Sequence, residues 1–361
     1  MGSFLNVVIY RLPAGEGLVH PPSHDPATGD RLKWWENIPI VSWLALGGTS
    51  RYSGNRISPQ YPLVEAFTML AFAGLFAAYY FAGWRPGFYS HSWAGTWPVY
   101  LVHATLIACL IAATLIDARH YIIPLGIPWT ATLVALVSPL AVALAWTPAD
   151  PRVVPMTGAS GVLAAAGGIV GLAVSLTLLL TGVLPRSFSE DPEHYESDDP
   201  ESFIAHPHPR REVLKEVLFL LPVTLGLVGG AVAGANLVWQ PSGWAAALGG
   251  AALGYFVGGG LIWGTRVLGT LAFGKEAMGL GDVHLLAAIG AVIGPGDATF
   301  AFFFAPFMGL VGAAVTAAIA AIASGRVRVI PYGPYLAAAG VVMLVVREPV
   351  RDIFDTLILR R

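Results

Sequence analysis

Long apolar runs alternate with short polar segments along most of the chain. Nine such runs stand out, the seventh of them short: 61–83, 96–116, 126–147, 159–183, 217–238, 243–270, 283–294, 298–323 and 333–346. Most contain about 20 residues or more, which lets an α-helix cross a hydrocarbon core of roughly 30 Å. Pro, Gly and charged residues cluster between the runs and mark loops. The pattern predicts an all-α, polytopic membrane protein with about 9–10 transmembrane helices, the N-terminal segment supplying the tenth.

Composition supports a membrane protein and limits its partners. Hydrophobic residues make up 55% of the 361 and charged residues only 12%, whereas soluble domains carry about a quarter charged residues. The 20 Lys and Arg do not exceed the 22 Asp and Glu, so we expect lipid but no nucleic acid as a partner. Cys109 is the only cysteine, which excludes a disulfide or a thiolate metal site within the chain. Nothing in the sequence indicates an oligomeric state.

The distribution of Lys and Arg predicts an orientation. If the long loop 10–60 is cytoplasmic, alternation of the spans places 14 of the 20 Lys and Arg on that side. The same alternation places Asp117, which ends the run 96–116, and Asp282, which precedes the run 283–294, at the cytoplasmic ends of their spans. The sequence therefore predicts two carboxyl groups at the same depth and on the same side of the membrane.

Two neighbouring aspartates are suited to peptide hydrolysis. Carboxyl groups that share a site hold one proton between them, so that one can activate water while the other protonates the leaving amine. Gly279 and Gly281, beside Asp282 in "GLGD", would let a substrate backbone approach closely. From the pattern alone a structural role comes first for each aspartate: Asp282 as a helix N-cap, and Asp117 as an interfacial partner of Arg119.

Six ordered segments change that balance. They are "GSFLNVVIYRLP" (2–13), "WWENIPIVSWL" (34–44), "ISPQYPLVE" (57–65), "IDARHYIIP" (116–124), "GKEAMGLGDVHLLAAIGAVIG" (274–294) and "IPYGPYLAAAG" (330–340). In these segments the chain resembles the type IV prepilin peptidases, the GxGD class of intramembrane aspartic proteases. The resemblance implies that Asp117 and Asp282 are catalytic.

The resemblance also implies a substrate and a location. Members of this family cut the basic leader from prepilins and pseudopilins at the cytoplasmic face of the inner membrane. Proteolysis needs no cofactor, and many members then methylate the new N-terminus with S-adenosylmethionine. We therefore expect a multi-pass protein of the cytoplasmic (inner) membrane whose active site opens at the cytoplasmic face and whose partner is a prepilin or pseudopilin.

Two departures from the family pattern concern its first loop and its length. Many members carry two CxxC pairs that bind zinc, where this chain has Asp25 and Thr28, then Ser50 and Ser53. Zinc prefers thiolate and imidazole ligands, so we expect no zinc, and methylation becomes the less secure activity. The family plan has eight spans, so we interpret the two spans within 159–238 as an inserted pair. Their connecting segment 190–201 holds seven acids, which are either a solvated loop or an attraction for a basic leader.

These features predict a division of the chain into five parts. They are an N-terminal membrane stub with a cytoplasmic loop domain lacking the zinc cysteines (1–60), a membrane core with Asp117 (61–158), an inserted helix pair with an acidic cytoplasmic loop (159–238), a second membrane core with the GLGD motif (239–346), and an amphipathic C-terminal tail (347–361).

Three further residues in the matched segments are candidates for the substrate site. Glu65 either lines the site or stabilises a helix N-terminus. Asn6 and Arg11 either line the site or anchor the first helix at the interface. Two other functions stay open: a transporter that relays protons through both aspartates, and an inactive scaffold for pilus assembly. A transporter predicts carboxylates near the bilayer centre, whereas these lie at span ends, and the intact motifs speak against the scaffold.

The N-terminal segment is short for a membrane span. Its apolar part forms a helix of roughly 12 Å, against a hydrocarbon core of about 30 Å. We therefore expect the native chain to begin upstream, with about 10–15 mostly apolar residues that complete the crossing.

Overall fold

The computed structural model describes residues 1–188, 208–323 and 331–349, and the side chains of these residues except 319–323. The acidic segment 190–201 and most of the predicted amphipathic tail lie outside the described residues. What we predict for them stays a prediction.

The described chain folds almost entirely into helices. Twelve α-helices and one short 3₁₀ helix (Trp34–Asn37) lie in these ranges: α1 (Gly2–Arg11), α2 (Val41–Ala45), α3 (Gln60–Tyr80), α4 (Pro86–His120), α5 (Gly126–Val137), α6 (Pro139–Ala143), α7 (Ala159–Leu180), α8 (Pro209–Ala235), α9 (Gly243–Phe273), α10 (Leu280–Ile293), α11 (Pro295–Ala323) and α12 (Gly333–Val345). In the part of the chain that the structure describes, extended pairing is limited to two isolated bridges in the first loop.

Within the described residues, seven stretches of helix are long and apolar enough to cross a membrane: α3, α4, α5 with α6, α7, α8, α9 and α11. Two shorter apolar helices, α10 with 14 residues and α12 with 13, lie among them. The predicted class is confirmed: the chain is an all-α, multi-pass membrane protein, and these nine elements correspond to the nine apolar runs.

Two helices differ from the apolar runs that predicted them. The run 96–116 lies within α4, which begins ten residues earlier at Pro86 and is interrupted at Ser92, a residue with φ 59°. The run 126–147 is divided into α5 and α6 at Pro139. Proline has no N–H for the helix ladder and clashes with the preceding turn, so it commonly divides a helix. Hydropathy alone does not detect either break.

The short helix α10 lies at the centre of the helix assembly. Every residue from Val283 to Ile293 except His284 is buried, and α10 packs against α4, α5, α9, α11 and α12. Gly254 of α9 lies directly against the Gly290 backbone of α10, which leaves no room for a side chain at either position. Small residues of this kind let membrane helices approach closely. Because α10 is enclosed, its N-terminus has a fixed position.

Candidate active site

Asp117 lies near the end of α4 and is almost fully buried, with 5% of its surface exposed. The helix ends at Tyr121, whose φ of 56° turns the chain out of the helix axis and whose N–H donates to the Asp117 carbonyl over 2.9 Å. The turn brings Ile123, which is also buried, back toward the helix assembly. Asp117 therefore lies on a rigid helix rather than on a loop.

Asp282 lies in the first turn of α10. Gly279 is the N-cap residue, and Asp282 Oδ2 lies beside it, 3.6 Å from the place of a Cβ on Gly279. A carboxylate in this position is favoured by the unpaired amides of a helix N-terminus. Among the described residues the other oxygen, Oδ1, is buried and accepts no hydrogen bond. One oxygen of Asp282 thus lies against the helix start, and the other is buried without a hydrogen-bond partner.

The fold brings the two aspartates together. The Asp282 carboxylate is close enough to Asp117 for the two to interact electrostatically. Ile123, just after the end of α4, packs against Gly281, the residue before Asp282. Asp117 and Ile123 both contact Gly333 at the head of α12. Three helix ends, from α4, α10 and α12, therefore meet around one pair of carboxyl groups.

The two glycines of the GLGD motif differ in their surroundings. A Cβ at Gly281 would lie 2.8 Å from Ile123 Cβ, closer than carbon atoms approach each other in proteins. A Cβ at Gly279 would have Asp282 Oδ2 as its nearest neighbour, at an ordinary 3.6 Å. Gly281 thus already has a close neighbour in Ile123 of this chain, and the role of Gly279 and Gly281 in admitting a substrate backbone stays a prediction.

Tyr332 and Gly333 were not predicted as residues of the site. The backbone of Gly333 lies directly against the Asp117 carboxylate, and Tyr332 is close enough to Asp282 to interact with it electrostatically. Gly333 begins α12, and the free amides of a helix N-terminus favour negative charge. The signal in the sequence was the matched segment "IPYGPYLAAAG", in which a glycine and a proline precede an apolar run.

Two family models match this chain. The one described as "Bacterial Peptidase A24 N-terminal domain" matches residues 1–79, and the one described as "Type IV leader peptidase family" matches residues 214–315. The chain belongs to the type IV leader peptidase family. Asp282 lies inside the second matched range, whereas Asp117 lies between the two ranges. The second range begins inside α8, and the interpretation of α7 and α8 as an inserted pair stays a prediction.

Individual relatives agree with the family. The prepilin leader peptidase/N-methyltransferase of Xanthomonas campestris pv. campestris is 45% identical over 149 residues, which cover 34% of this chain and 46% of the relative. The protein of the same name from Myxococcus xanthus is 41% identical over 143 residues, covering 39% of this chain and 38% of the relative. The protein of the same name from Pseudomonas aeruginosa is 35% identical over 147 residues, which cover 34% of this chain and 46% of the relative. The chain spans less than half the length of these curated relatives. No solved structure matches it.

The other candidate residues of this leader peptidase homologue connect α1 and the first loop to α3. Glu65 Oε2 accepts a hydrogen bond of 2.8 Å from the N–H of Ile40, a residue held at φ 63°. Asn6 Nδ2 donates to the Tyr61 carbonyl over 3.1 Å. Arg11 Nη1 donates to carbonyl oxygens of the loop that follows α1. Among the described residues, none of these hydrogen bonds reaches Asp117 or Asp282.

The loop in which many family members bind zinc is held here by hydrogen bonds. One oxygen of Asp25 accepts hydrogen bonds from the hydroxyls of Ser50 and Ser53, the latter over 2.8 Å. The hydroxyl donors lower the pKa of Asp25 to about 2. Gly29 and Gly54, at φ 75° and 69°, turn the chain in each half of the loop. A carboxylate already bonded to two hydroxyls is a poor zinc ligand, so these residues do not fit the metal.

Proposed function

We propose that this chain is a membrane aspartic endopeptidase that removes the basic leader peptide of type IV prepilins or pseudopilins. The cleavage takes place at the cytoplasmic face of the inner membrane, where the positive-inside orientation puts the ends of α4 and α10. The observation that carries the proposal is the proximity of Asp117 to Asp282, whose Oδ1 has no hydrogen-bond partner among the described residues. The names of the relatives support the class of substrate.

Hydrolysis by this pair follows from the chemistry of one shared proton. The ionised carboxylate removes a proton from a water molecule, whose oxygen attacks the carbonyl carbon of the scissile peptide. The protonated carboxyl donates its proton to the carbonyl oxygen, which gives a neutral tetrahedral diol. The carboxyl that took the proton from water then gives it to the leaving nitrogen, while the other carboxylate takes back a proton from one hydroxyl of the diol. The C–N bond breaks, a carboxylic acid and an amine leave, and the pair again shares one proton. We assign the base to neither Asp117 nor Asp282, because such a pair titrates as a unit.

The surroundings of the pair suit this reaction. The backbone of Gly333 lies against Asp117 and that of Gly279 lies beside Asp282, so each carboxyl group is next to the start of a helix. Backbone amides at helix starts are rigid and need no reorganisation during the reaction. The position of each carboxyl group is therefore set by the helix starts around it. This arrangement needs no cofactor for cleavage.

Co-expression with a candidate prepilin tests the proposal. We expect the prepilin to lose its leader in cells that contain this chain and to keep it in cells that contain no leader peptidase. The mass of its N-terminus distinguishes the two outcomes. The mass also reveals methylation, because a methyl group transferred from S-adenosylmethionine to the new amine adds one methylene unit. A panel of prepilins and pseudopilins that all keep their leaders while the chain is inserted would contradict the proposal and favour the transporter or the scaffold.

A further inference from the structure

Arg266 is a buried charge that the mechanism above does not use. It is the only charged residue on α9 and only 1% of its surface is exposed. A charge inside a membrane protein is costly unless it is paired and hydrogen-bonded, so such residues usually have a specific task. The groups that Arg266 binds therefore indicate what it does.

Three acceptors receive hydrogen bonds from Arg266. Its Nε donates to Glu216 Oε1 of α8 over 2.8 Å, and its Nη1 donates to the Glu276 carboxylate and to the Met278 carbonyl oxygen. Glu276 and Met278 lie in the short segment that connects α9 to α10. The planar guanidinium holds its donors at fixed angles, so these contacts fix the segment relative to both α8 and α9.

The peptide group between Met278 and Gly279 connects Arg266 to Asp282. Its carbonyl oxygen accepts a hydrogen bond from Arg266, and on its other side Gly279 lies beside the Asp282 carboxylate, whose Oδ2 is 3.6 Å from the place of a Cβ on Gly279. In a trans peptide the C=O and N–H point in opposite directions, so the arginine and the carboxylate can lie on opposite sides of one peptide plane. A hydrogen bond to the carbonyl oxygen polarises the peptide group, which strengthens the attraction of its N–H for the Asp282 carboxylate.

Two neighbouring contacts keep this connection in place. The Ala277 N–H donates to Thr270 Oγ1 of α9 over 3.3 Å, so the segment is bonded to α9 at a second point. The second carboxylate oxygen of Glu216 accepts a hydrogen bond of 3.0 Å from the Trp263 indole. Glu216 is 2% exposed and is therefore a fixed anchor for the guanidinium.

We propose that Arg266 is a positioning residue for Asp282, acting through the Met278–Gly279 peptide group and anchored by Glu216. The inference rests on the proposed peptidase function. Arg266 touches neither the substrate nor the reacting atoms; it orients the peptide group that orients the carboxylate. Its loss should therefore reduce turnover more than substrate binding.

The first test removes the charge together with its buried partner. Arg266→Met alone would leave the Glu216 carboxylate buried without its cation, so the variant combines Arg266→Met with Glu216→Gln. We expect kcat for a purified prepilin to fall about 10–100-fold, as when a supporting partner of a catalytic group is lost. KM should stay within about threefold, because the lost contact acts on the reacting group. Arg266→Lys keeps a charged donor and should restore part of kcat.

A matched control breaks a buried ion pair at the opposite end of α10 from Asp282. Arg347, after the end of α12, and Asp297 of α11 form an ion pair of 3.5 Å, with side chains 10% and 0% exposed. The variant Arg347→Met with Asp297→Asn should leave kcat within about twofold of the unmodified chain, since distant contacts act independently. A loss of kcat equal to that of the Arg266 variant would show general destabilisation and overturn the proposal.

Hydrogen exchange tests the connection without any substrate. We expect the amides of 277–282 to exchange faster when Arg266 and Glu216 are replaced, and also in Thr270→Val, which removes the acceptor of the Ala277 N–H with little change of shape. If the double variant does not accumulate in the membrane, Thr270→Val is used for both the hydrogen-exchange and the kcat measurements. Unchanged exchange or unchanged kcat in folded variants would overturn the proposal. Faster exchange in a chain that never cleaves a prepilin would instead contradict the peptidase function.

Discussion

Gly333 lies in direct contact with Asp117. A side chain at this position would overlap Asp117 Oδ2. The absence of a side chain on Gly333 is therefore what allows the carboxylate to lie against the backbone at the start of α12. The start of α12 therefore forms one wall of the aspartate pair.

Replacement of Gly333 by alanine should impair cleavage. The added methyl displaces the Asp117 carboxylate, and a displacement of about 1 Å in an active site can lower activity on the order of a hundredfold. We expect kcat to fall by about tenfold or more while the protein still inserts. Gly264→Ala is the matched control, because a Cβ at Gly264 of α9 meets no atom within 4 Å. Wild-type turnover of Gly333→Ala would refute the contact as described.

The two glycines of the GLGD motif should respond differently to alanine. Gly281→Ala forces a clash with Ile123 and should lower activity, whereas Gly279→Ala meets only ordinary contacts and should be nearly silent. The second substitution Ile123→Ala, added to Gly281→Ala, should recover part of the lost activity by opening space. If Gly281→Ala is not rescued, the glycine serves the substrate rather than the packing against Ile123.

The hydrogen bonds that Asp25 accepts should weaken only at low pH. Its pKa of about 2 lies below the ordinary 3.8, so the carboxylate contributes stability that is fully present above about pH 4. That contribution is lost as the pH falls from about 4 toward 2, because protonation weakens acceptance from the serines. We expect hydrogen exchange of residues 23–57 to accelerate in this window. In the variant Ser50→Ala with Ser53→Ala the exchange should already be faster at neutral pH and less dependent on pH.

Introducing four cysteines into the first loop should create a zinc site. Ser50 and Ser53 both contact Asp25, so the two halves of the loop already meet, each with its turn glycine. The variant carrying Asp25→Cys, Thr28→Cys, Ser50→Cys and Ser53→Cys should hold about one zinc per chain, since four thiolates form a tetrahedral site. The unmodified chain should hold less than about 0.2 equivalents and should not unfold with chelators. Tightly held zinc in the unmodified chain would show that its own ligands suffice.

The apolar runs predicted the helices because the hydropathy of each segment decides whether that segment can lie in lipid. Each run from 61–83 to 333–346 has its helix, since backbone groups in a membrane must bond within their own helix. The interruption at Ser92 could not be predicted in this way, because a single residue with positive φ leaves hydropathy unchanged.

The aspartate pair was predicted by motif and orientation, but its supports were not. Gly333 contacts Asp117, and Arg266 contacts Met278, through packing between helices that no periodicity records. A lone arginine on an apolar helix was nevertheless a signal, because such a charge needs partners. Glu276 lies in the segment between α9 and α10, and its contact with Arg266 depends on where α9 places that arginine.

The central claim is that Asp117 and Asp282 together perform the cleavage. The most direct measurement is the N-terminal mass of a purified prepilin after incubation with Asp117→Asn, Asp282→Asn and a control, Asp150→Asn, whose aspartate pairs with Arg152 and His91. Asparagine keeps the volume of the side chain but can neither accept nor deliver the shared proton. We predict an intact leader with either active-site variant and a processed N-terminus with the control. Normal processing by Asp117→Asn or by Asp282→Asn would contradict the account.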